Sequence, residues 1–537
     1  MPLPNPWTGG DYEDGFSVTL ITELTMMAVS NTIREKPNWW LKYNDAEISA
    51  RWREEIEAAG LERHERYRLG KAEVDFIFKE LEWYAQKRQE QVDQLGREVT
   101  IDVGVEGTRR ADGLISEELK KRLMDCVKKL EDVPEHLKDW HPGSNHQVLD
   151  LVHPSLFPFV AGRTRVTKEE ALPALKSIGS GEVLQKAPNP RKMQKMYLSE
   201  KFQWLPTDFD VSPEGKVKAK SYINNLHPVE HKDIYPVLEE ILEKFLPMFE
   251  EVVGDMAVIE TKKLSADPFD WYPEPPKAGP DEDEDKVYDA YYDSRVPKPL
   301  EIPEFTAPAD VPKYDLKNTG RPLQVIVKLA NIELTPENPK YKGGTWHVEG
   351  MANENIVASG IYYYHTENIS DSRLNFRIQV REPYYEQSDD GGMRHMYDLW
   401  NDGPLVQSLD GVVTKQDRCL VFPNIYQHRV RSFTLDDATK PGSRKILVFF
   451  LVNPEEPTLS TTNVPPQQKE WATEDYMKEV AKRLPPELVH EIDLMVDWPM
   501  ELEEAKKHRK ELMKERKYFV KTMQEEVFAR PFSLCEH

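Results

Sequence analysis

The hydrophobic positions divide the chain into a mainly helical first part, a strand-rich part and a helical tail. Over roughly the first 250 residues, three amphipathic stripes predict helices. Their apolar positions are Val74, Ile77, Phe78, Leu81 and Tyr84, then Leu119, Leu123, Val127 and Leu130, and then Leu238, Ile241, Leu242 and Phe245. Pro247 is predicted to end the third helix, because proline cannot donate the helical hydrogen bond. The alternating segment 217–226 predicts a strand before that helix.

Beyond residue 322 the period changes to that of strands. Six short apolar segments, separated by Gly, Pro, Asn and Asp, occupy residues 323–334, 356–364, 374–380, 418–422, 428–433 and 445–452. This number and spacing favour a sandwich, a barrel or a jelly roll. The Pro-rich segment 267–312, with its acidic run at 281–285, predicts a solvated linker, and the polar segment 381–411 predicts a long loop that could act as a lid. From Leu488 to Val527 helical spacing returns.

Composition narrows the class of protein and of partner. The 537 residues are 39% hydrophobic, enough for a sizeable core, and the net charge of -23 argues against nucleic acid and weakly favours a cationic substrate. Cys126, Cys419 and Cys535 lie too far apart for a disulfide framework or a Cys-x-x-Cys metal site. The longest strongly apolar run, 446–452, has the length of a strand, and no secretory signal precedes it. We therefore expect a cytoplasmic protein without a membrane partner.

Two histidines and a glutamate form the strongest candidate for chemistry. Three His-x-acid tripeptides occur, which is close to chance for this composition: His231-Lys-Asp233, His347-Val-Glu349 and His365-Thr-Glu367. Context favours His347 and Glu349, because they follow a flexible Gly-Gly segment and two residues spaced by two on an extended chain face one side. His428 opens a later strand after a Pro-Asn turn. Two imidazoles and one carboxylate on one face would satisfy a non-haem iron(II) site.

A cationic residue completes the pattern. Arg444 starts a row in which Ile446, Val448 and Phe450 point to the same side. A buried guanidinium without an anion is costly, and a dicarboxylate co-substrate would supply that anion through a bidentate pair.

The pattern His-x-Glu…His…Arg resembles the iron(II)/2-oxoglutarate-dependent oxygenases of the double-stranded β-helix fold. More narrowly, Gly-Gly-Thr-Trp-His-Val-Glu-Gly at 343–350, Phe-Pro-Asn at 422–424, Gln-His-Arg-Val at 427–430 and Arg-Lys-Ile-Leu at 444–447 resemble a large fungal family of unknown function. The resemblance implies His347, Glu349 and His428 as iron(II) ligands, Arg444 as the anchor of the 2-oxoglutarate C5 carboxylate, and O2 as the oxidant. It departs from the common pattern by having Glu in place of Asp and by a longer interval before the arginine, which makes Lys440 a second candidate anchor.

Together these observations predict an α+β protein with a distorted double-stranded β-helix (jelly-roll) core and helical additions at both ends. The expected divisions are a mainly helical region 1–214, an oxygenase core 215–460 with an insertion at 264–316, and a helical tail 461–537 that could serve a homodimer. The expected activity is hydroxylation of an unidentified small molecule, amino-acid-like or cationic, with release of succinate and CO2. The residues expected to line its pocket are Trp346, Tyr362, Tyr364 and His395.

Two other classes remain open at this point. A cupin-like metalloenzyme that does not use 2-oxoglutarate would keep the fold and use Arg444 in a structural ion pair. A non-enzymatic scaffold would not need His347 or His428.

Overall fold

The computed structural model describes residues 3–7, 16–62, 68–95, 100–102, 104–168, 174–188, 197–256, 264–471, 482–495, 499–523, 529, 531 and 533–534. Cys535 and the predicted helical position Val527 lie outside them. The helices are α1 (Ile21–Arg34), α2 (Trp39–Tyr43), α3 (Ala46–Glu62), α4 (Lys71–Leu95), α5 (Glu117–Glu131), α6 (Ile234–Asp255), α7 (Glu284–Ser294), α8 (Asp390–Tyr397), α9 (Pro486–Met495) and α10 (Leu502–Met523). Within the described ranges, no helix combines the length and the apolar composition needed to cross a membrane.

Strands occur from residue 100 onward. They are β1 (Thr100–Asp102), β2 (Arg109–Asp112), β3 (Val148–Val152), β4 (Phe159–Val160), β5 (Arg165–Val166), β6 (Glu182–Val183), β7 (Phe202–Gln203), β8 (Thr207–Val211), β9 (Val217–Ala219), β10 (Leu323–Leu334), β11 (Lys340–Tyr341), β12 (Ile356–Glu367), β13 (Arg373–Gln379), β14 (Val406–Val413), β15 (Arg418–Pro423), β16 (Gln427–Val430), β17 (Phe433–Thr434) and β18 (Gly442–Val452). The protein is therefore a mixed α and β structure, which confirms the α+β class.

A nine-stranded sheet, here called the major sheet, forms the centre of the molecule. Its order is β1-β2-β15-β12-β18-β10-β8-β9, with β3 also pairing with β10, and every pairing is antiparallel. Strands β2, β3 and β8 precede residue 215, so the sheet spans the predicted boundary at 214. The long strands β10, β12 and β18 are apolar on both faces, as expected for strands covered on both sides.

The two faces of the major sheet contact different layers. Along β18, Ile446, Val448 and Phe450 belong to the cluster that includes the minor sheet, defined here as β14-β13-β16. The alternate residues Leu447, Phe449 and Leu451 face the cluster built on α6. The predicted one-sided row of Arg444, Ile446, Val448 and Phe450 therefore faces the minor sheet. Phe376 of the minor sheet meets Phe422 of the major sheet at a ring-centroid distance of 5.1 Å.

Helix α6 covers the second face and does not end at Pro247. Proline inside a helix costs about 3 kcal/mol. Beyond it, however, Met248, Phe249, Val252 and Val253 are all fully buried, and each contributes about 1.5–3 kcal/mol of burial. Continuation is thus favoured, and the predicted helix end is wrong. A side chain at Gly360 would lie only 2.8 Å from the rings of Phe245 and Phe249, so the close approach of helix and sheet requires glycine there.

Two segments expected to be loops contain regular structure. Helix α7 lies inside the predicted linker, and its first turn uses the acidic run, where carboxylates are favourable. The linker also contacts the segment predicted to be a lid. Trp271 Nε1 and the Tyr272 hydroxyl donate to Asp389 of that segment, at 3.0 and 2.6 Å. The predicted lid at 381–411 contains helix α8 and most of strand β14. The predicted strand at 217–226 is limited to β9.

A buried ion-pair network fastens the first helix to the major sheet. The Arg418 side chain, 1% exposed, donates to both oxygens of Asp112 at 2.7 and 2.8 Å. It also donates to Glu35, the C-cap residue that follows α1, at 3.0 Å. Burial would raise the pKa of Asp112, but Arg418 and Lys415 outweigh it and lower that pKa to about 2. The network therefore contributes stability while Asp112 is ionised.

Replacing Arg418 should destabilise the fold, because Asp112 and Glu35 would lose the cation that compensates their burial. We expect Arg418→Met to lower the free energy of unfolding by about 3 kcal/mol, measured by urea denaturation. The contribution should be fully present above about pH 4, the unfolded pKa of aspartate, and should be lost as pH falls through the folded pKa near 2. Arg122→Met, which breaks the exposed pair with Glu240, is the control and should cost less than about 1 kcal/mol. Equal effects of the two variants would contradict this account.

Candidate metal centre

His347 and His428 are brought together by their own backbones. The His347 amide donates to the His428 carbonyl at 3.2 Å, and the His428 amide donates to the His347 carbonyl at 2.9 Å. Directly opposed residues of an antiparallel pair project their side chains to the same side. The two imidazole centroids accordingly lie 4.4 Å apart. Strand β16 also pairs with β13, where Phe376 stands opposite His428, so His428 lies on the face of the minor sheet that meets the major sheet.

Asn424 holds the segment that carries Glu349. Its side-chain oxygen accepts from the Glu349 amide at 2.8 Å, and its side-chain nitrogen donates to the Glu349 and Ile356 carbonyls at 3.0 Å. Asn424 is fully buried, so these bonds are not shared with solvent. The Phe-Pro-Asn segment was part of the sequence pattern, but its role as a clamp on Glu349 could not be seen there.

The three side chains converge on one point. Glu349 Oε1 lies 3.3 Å from His428 Nε2 and 3.7 Å from His347 Nε2, and the ligand atoms of all three residues lie within 4.8 Å of one another. His347 Nδ1 lies 2.8 Å from the Thr345 carbonyl, which it meets as a donor, so Nε2 is left as the lone-pair nitrogen. Two imidazoles and a carboxylate in this arrangement are the donor set of a facial-triad iron(II) site.

The surroundings shift the pKa values of the three triad side chains in different directions. Burial alone would raise the pKa of Glu349, but the hydrogen bonds and charges of His347 and His428 hold that pKa well below its usual range. Burial and the neighbouring His347 lower the pKa of His428. For His347 burial acts downward, yet Glu349 and the Thr345 carbonyl outweigh it and raise the pKa. A carboxylate facing two imidazoles matches what a divalent cation requires.

Arg444 is buried without a carboxylate partner among the residues that the structure describes. It is 2% exposed, and its Nη1 donates only to the hydroxyls of Ser372 and Thr414, at 2.9 and 2.7 Å. Its guanidinium carbon lies 4.3 Å from the Phe433 ring centroid, and Nε has no partner in the described part of the chain. Burial lowers the pKa of Arg444. The second candidate anchor, Lys440, is exposed and paired with Asp437 at 2.9 Å, so the geometry favours Arg444 as an anion site.

Of the other predicted pocket residues, the two tyrosines lie away from the triad. Tyr362 and Tyr364 belong to the cluster on the α6 side of the major sheet, opposite to the triad. Trp346 is held between Arg377 and Arg429, whose guanidinium carbons lie 4.6 and 4.4 Å from its ring centroid. His395 is on α8. This placement does not support the pocket roles expected for the two tyrosines, and the roles of Trp346 and His395 stay predictions.

A cavity of about 370 Å³ opens onto the triad. Its wall includes His347 and Glu349 and, facing them, residues that the sequence did not single out: His141, His153, Trp204, Arg516 and Phe519. They come from a turn, a strand end, a loop and the tail helix α10. No motif spacing connects these segments, so only the fold could bring them together.

The chain belongs to the family described as "Protein of unknown function (DUF4246)", whose model matches residues 71–475. The N-terminal domain model of the same family matches residues 2–55. This membership agrees with the resemblance to a family of unknown function. A search for curated relatives finds no match.

A small part of this chain is similar to solved structures. An oxidoreductase of the 2OG-Fe(II) oxygenase family from Burkholderia pseudomallei is 11% identical over 25% of this chain and 48% of its own, with a TM-score of 0.16. The IDO protein of Bacillus thuringiensis is 11% identical over 26% and 50%, with a TM-score of 0.18. The Fe(II)/(alpha)ketoglutarate-dependent dioxygenase TqaL is 11% identical over 25% and 43%, with a TM-score of 0.16. The aligned parts span half or less of these structures, so any assignment of activity has to rest on the geometry of the site.

Removing the clamp on Glu349 should weaken metal binding without removing a ligand. We expect Asn424→Ala to lower affinity for Co(II), used as a spectroscopic substitute for iron(II), by about 10–100-fold, because the carboxylate segment loses its support. Competition with a chelator measures the affinity. Asn331→Ala removes an equally buried asparagine that binds Glu131 instead, and it should leave the affinity unchanged. An unchanged affinity in Asn424→Ala would show that Asn424 does not position the ligand.

Proposed function

We propose that this protein is an iron(II)- and 2-oxoglutarate-dependent dioxygenase with a distorted double-stranded β-helix core, acting on a small molecule. One observation carries the proposal: a two-histidine, one-carboxylate triad, in which His428 is buried and His347 and Glu349 are partly exposed, lies on the same inner face as Arg444, a buried arginine without a carboxylate partner among the described residues. Cupin-like metal sites would also explain the triad. They would not explain why the guanidinium is kept unpaired in an apolar environment, where an anion would stabilise it.

The relation between the triad and Arg444 follows from strand β13. Phe376 stands opposite His428, while Ser372, the hydroxyl partner of Arg444, lies four residues earlier and immediately precedes β13. Four residues of extended chain span about 13 Å. This interval separates the Arg444 end of the site from the metal end. An arginine side chain extending from the first end and a dicarboxylate bound at the metal end would together fill it.

In the proposed site some residues would hold the metal and the co-substrate, and others exclude water. His347, Glu349 and His428 would hold iron(II) on one side and leave its other positions open. Bound there, iron(II) would supply oxygen activation coupled to the oxidative decarboxylation of 2-oxoglutarate to succinate and CO2. Ser372 and Thr414 orient the Arg444 guanidinium toward a carboxylate, and the rings of Phe376 and Phe422 keep water from the inner face.

Anaerobic titration tests the assignment. Adding iron(II) and then 2-oxoglutarate should produce the weak visible charge-transfer band of a chelated 2-oxo acid. His347→Ala should abolish the band because a metal ligand is lost. Arg444→Met should retain it but require about 10–100-fold more 2-oxoglutarate, since one charge-assisted bidentate pair is removed.

Lys440→Met is the matched control, because it removes an exposed cation from the same segment, and it should titrate like the wild type. Iron binding without any band would contradict the use of 2-oxoglutarate and favour the cupin-like class. Iron binding that persists in His347→Ala would contradict the triad itself.

A further inference from the structure

Two histidines that are not part of the triad are neighbours in the wall of the cavity beside it. These are His141 and His153. Their ring centroids lie 5.1 Å apart and their planes are tilted by 51°, so one small group can contact both rings. The hydrogen-bonding state of each ring therefore decides what kind of group the cavity can hold there.

His153 presents a hydrogen-bond donor to the cavity. Burial lowers the pKa of His153 to about 3, so its ring is neutral. The Ser155 amide donates to Nδ1 at 3.1 Å, which leaves the single ring proton on Nε2. Within the described residues Nε2 has no hydrogen-bond partner. A metal ion at Nε2 would need that proton on Nδ1, where the Ser155 amide already points.

His141 presents a hydrogen-bond acceptor beside this donor. Its Nδ1 lies 2.7 Å from Oδ2 of Asp150, whose side chain is only 1% exposed. Burial would raise the pKa of Asp150, but His153, His141 and Lys328 outweigh it and lower that pKa to about 2. Because an ionised carboxylate only accepts, Nδ1 of His141 donates, and the lone pair of the ring is left on Nε2. In the part of the chain that the structure describes, nothing donates to this lone pair.

The nearby arginines are already paired with carboxylates of the protein. Arg516 pairs with Glu354 at 2.5 Å, and Arg509 pairs with Asp139 at 2.7 Å. Arg509 also lies 3.9 Å from Asp150. Neither arginine is therefore held ready as the counter-ion of a charged ligand.

A group that matches the two histidines must both donate and accept a hydrogen bond. A carboxylate has no proton for His141 Nε2, and it would approach the ionised Asp150. An ammonium has no lone pair for the Nε2 proton of His153, and it would leave this buried donor unpaired, which is unfavourable. A hydroxyl donates and accepts through one oxygen atom. The pair therefore selects an alcohol over either charged group.

The rest of the wall suits an apolar body. Trp204, Leu512 and Phe519 contribute apolar surface, and Lys517 on the same wall is exposed. The volume of about 370 Å³ matches a small molecule.

We propose that His141 and His153 bind a hydroxyl group of the substrate, which donates to His141 Nε2 and accepts from His153 Nε2, while the apolar part of the substrate lies against Trp204. Asp150 is a positioning residue, because its carboxylate fixes the His141 ring. Calling this ligand the substrate rests on the proposed function. The preference for a hydroxyl does not depend on iron or oxygen.

Calorimetry on metal-free protein, with four probes that share one phenyl body, tests the preference. The probes are 3-phenylpropan-1-ol, its methyl ether, 3-phenylpropylamine and 3-phenylpropionate, compared at about pH 8, where free imidazole is neutral. The ether accepts a hydrogen bond but cannot donate one. We expect the alcohol to bind about tenfold more tightly than each of the other three, because it alone satisfies both rings.

Substitution of each ring assigns the two hydrogen bonds. His141→Phe should lower the affinity for the alcohol to that for the ether and leave the affinity for the ether unchanged, because the ether does not donate to His141. His153→Phe should weaken both probes, because both accept from His153. His141 is partly exposed, so His141→Phe decides the question if His153→Phe does not fold. His365→Phe is the matched control, because His365 also pairs with a carboxylate but lies outside this cavity, and it should bind all four probes like the wild type.

The outcomes separate this proposal from the proposed function. Equal affinities for the alcohol and the ether, a preference for the amine or the carboxylate, or no binding of the alcohol at millimolar concentration would each overturn it. A preference for the alcohol that persists in His141→Phe would also overturn it, because the hydroxyl would then bind elsewhere. Since iron and 2-oxoglutarate are absent, a failure here leaves the charge-transfer titration unaffected, and the hydroxyl site stands if that titration alone fails.

Discussion

Two backbone hydrogen bonds between His347 and His428 set the geometry on which the rest of the site depends. They join a loop to the edge of the minor sheet, and the antiparallel pairing obliges both imidazoles to project to one side. Glu349, two residues further on, then needs only one additional constraint, which Asn424 supplies from the turn before β16. Donors from two distant parts of the chain are therefore positioned by main-chain pairing and by the side chain of one asparagine.

This dependence explains what could be predicted from the sequence. Strands β10, β12 and β18 were recognisable because they are buried on both faces and read as continuous apolar runs. Because both faces are buried, the sequence of these strands does not show which side chains point to which face. Tyr362, Tyr363 and Tyr364 are three identical residues in a row. Tyr363 belongs to the cluster that includes the minor sheet, whereas the other two belong to the cluster built on α6. The direction of Arg444 could be predicted, because it begins the row that continues with Ile446, Val448 and Phe450.

Other features were not predictable because their causes are tertiary. Strand β14 is too polar to be recognised alone and exists because β13 pairs with it. Helix α6 passes Pro247 because the residues beyond it are buried against the sheet. His141, His153 and Arg516 come from separate segments without common spacing, and helix α10 brings Arg516 to the cavity through ion pairs such as that of Arg509 with Asp139, at 2.7 Å. Local sequence patterns carry no information about contacts between segments that are far apart in the chain.

The guanidinium of Arg444, which has no carboxylate partner among the described residues, connects the stability of the fold with the proposed function. Removing a charge from water without a counter-ion costs several kcal/mol, and hydroxyls and a ring face return only part of it. A fold keeps such a residue when a ligand repays the cost on binding, because any anion that binds the folded state alone also stabilises it. Arg418 shows the contrast: it is equally buried, but Asp112 and Glu35 neutralise it permanently, and it serves only the fold. Under the proposed function, two buried arginines have opposite roles, and the presence or absence of a carboxylate partner among the described residues distinguishes them.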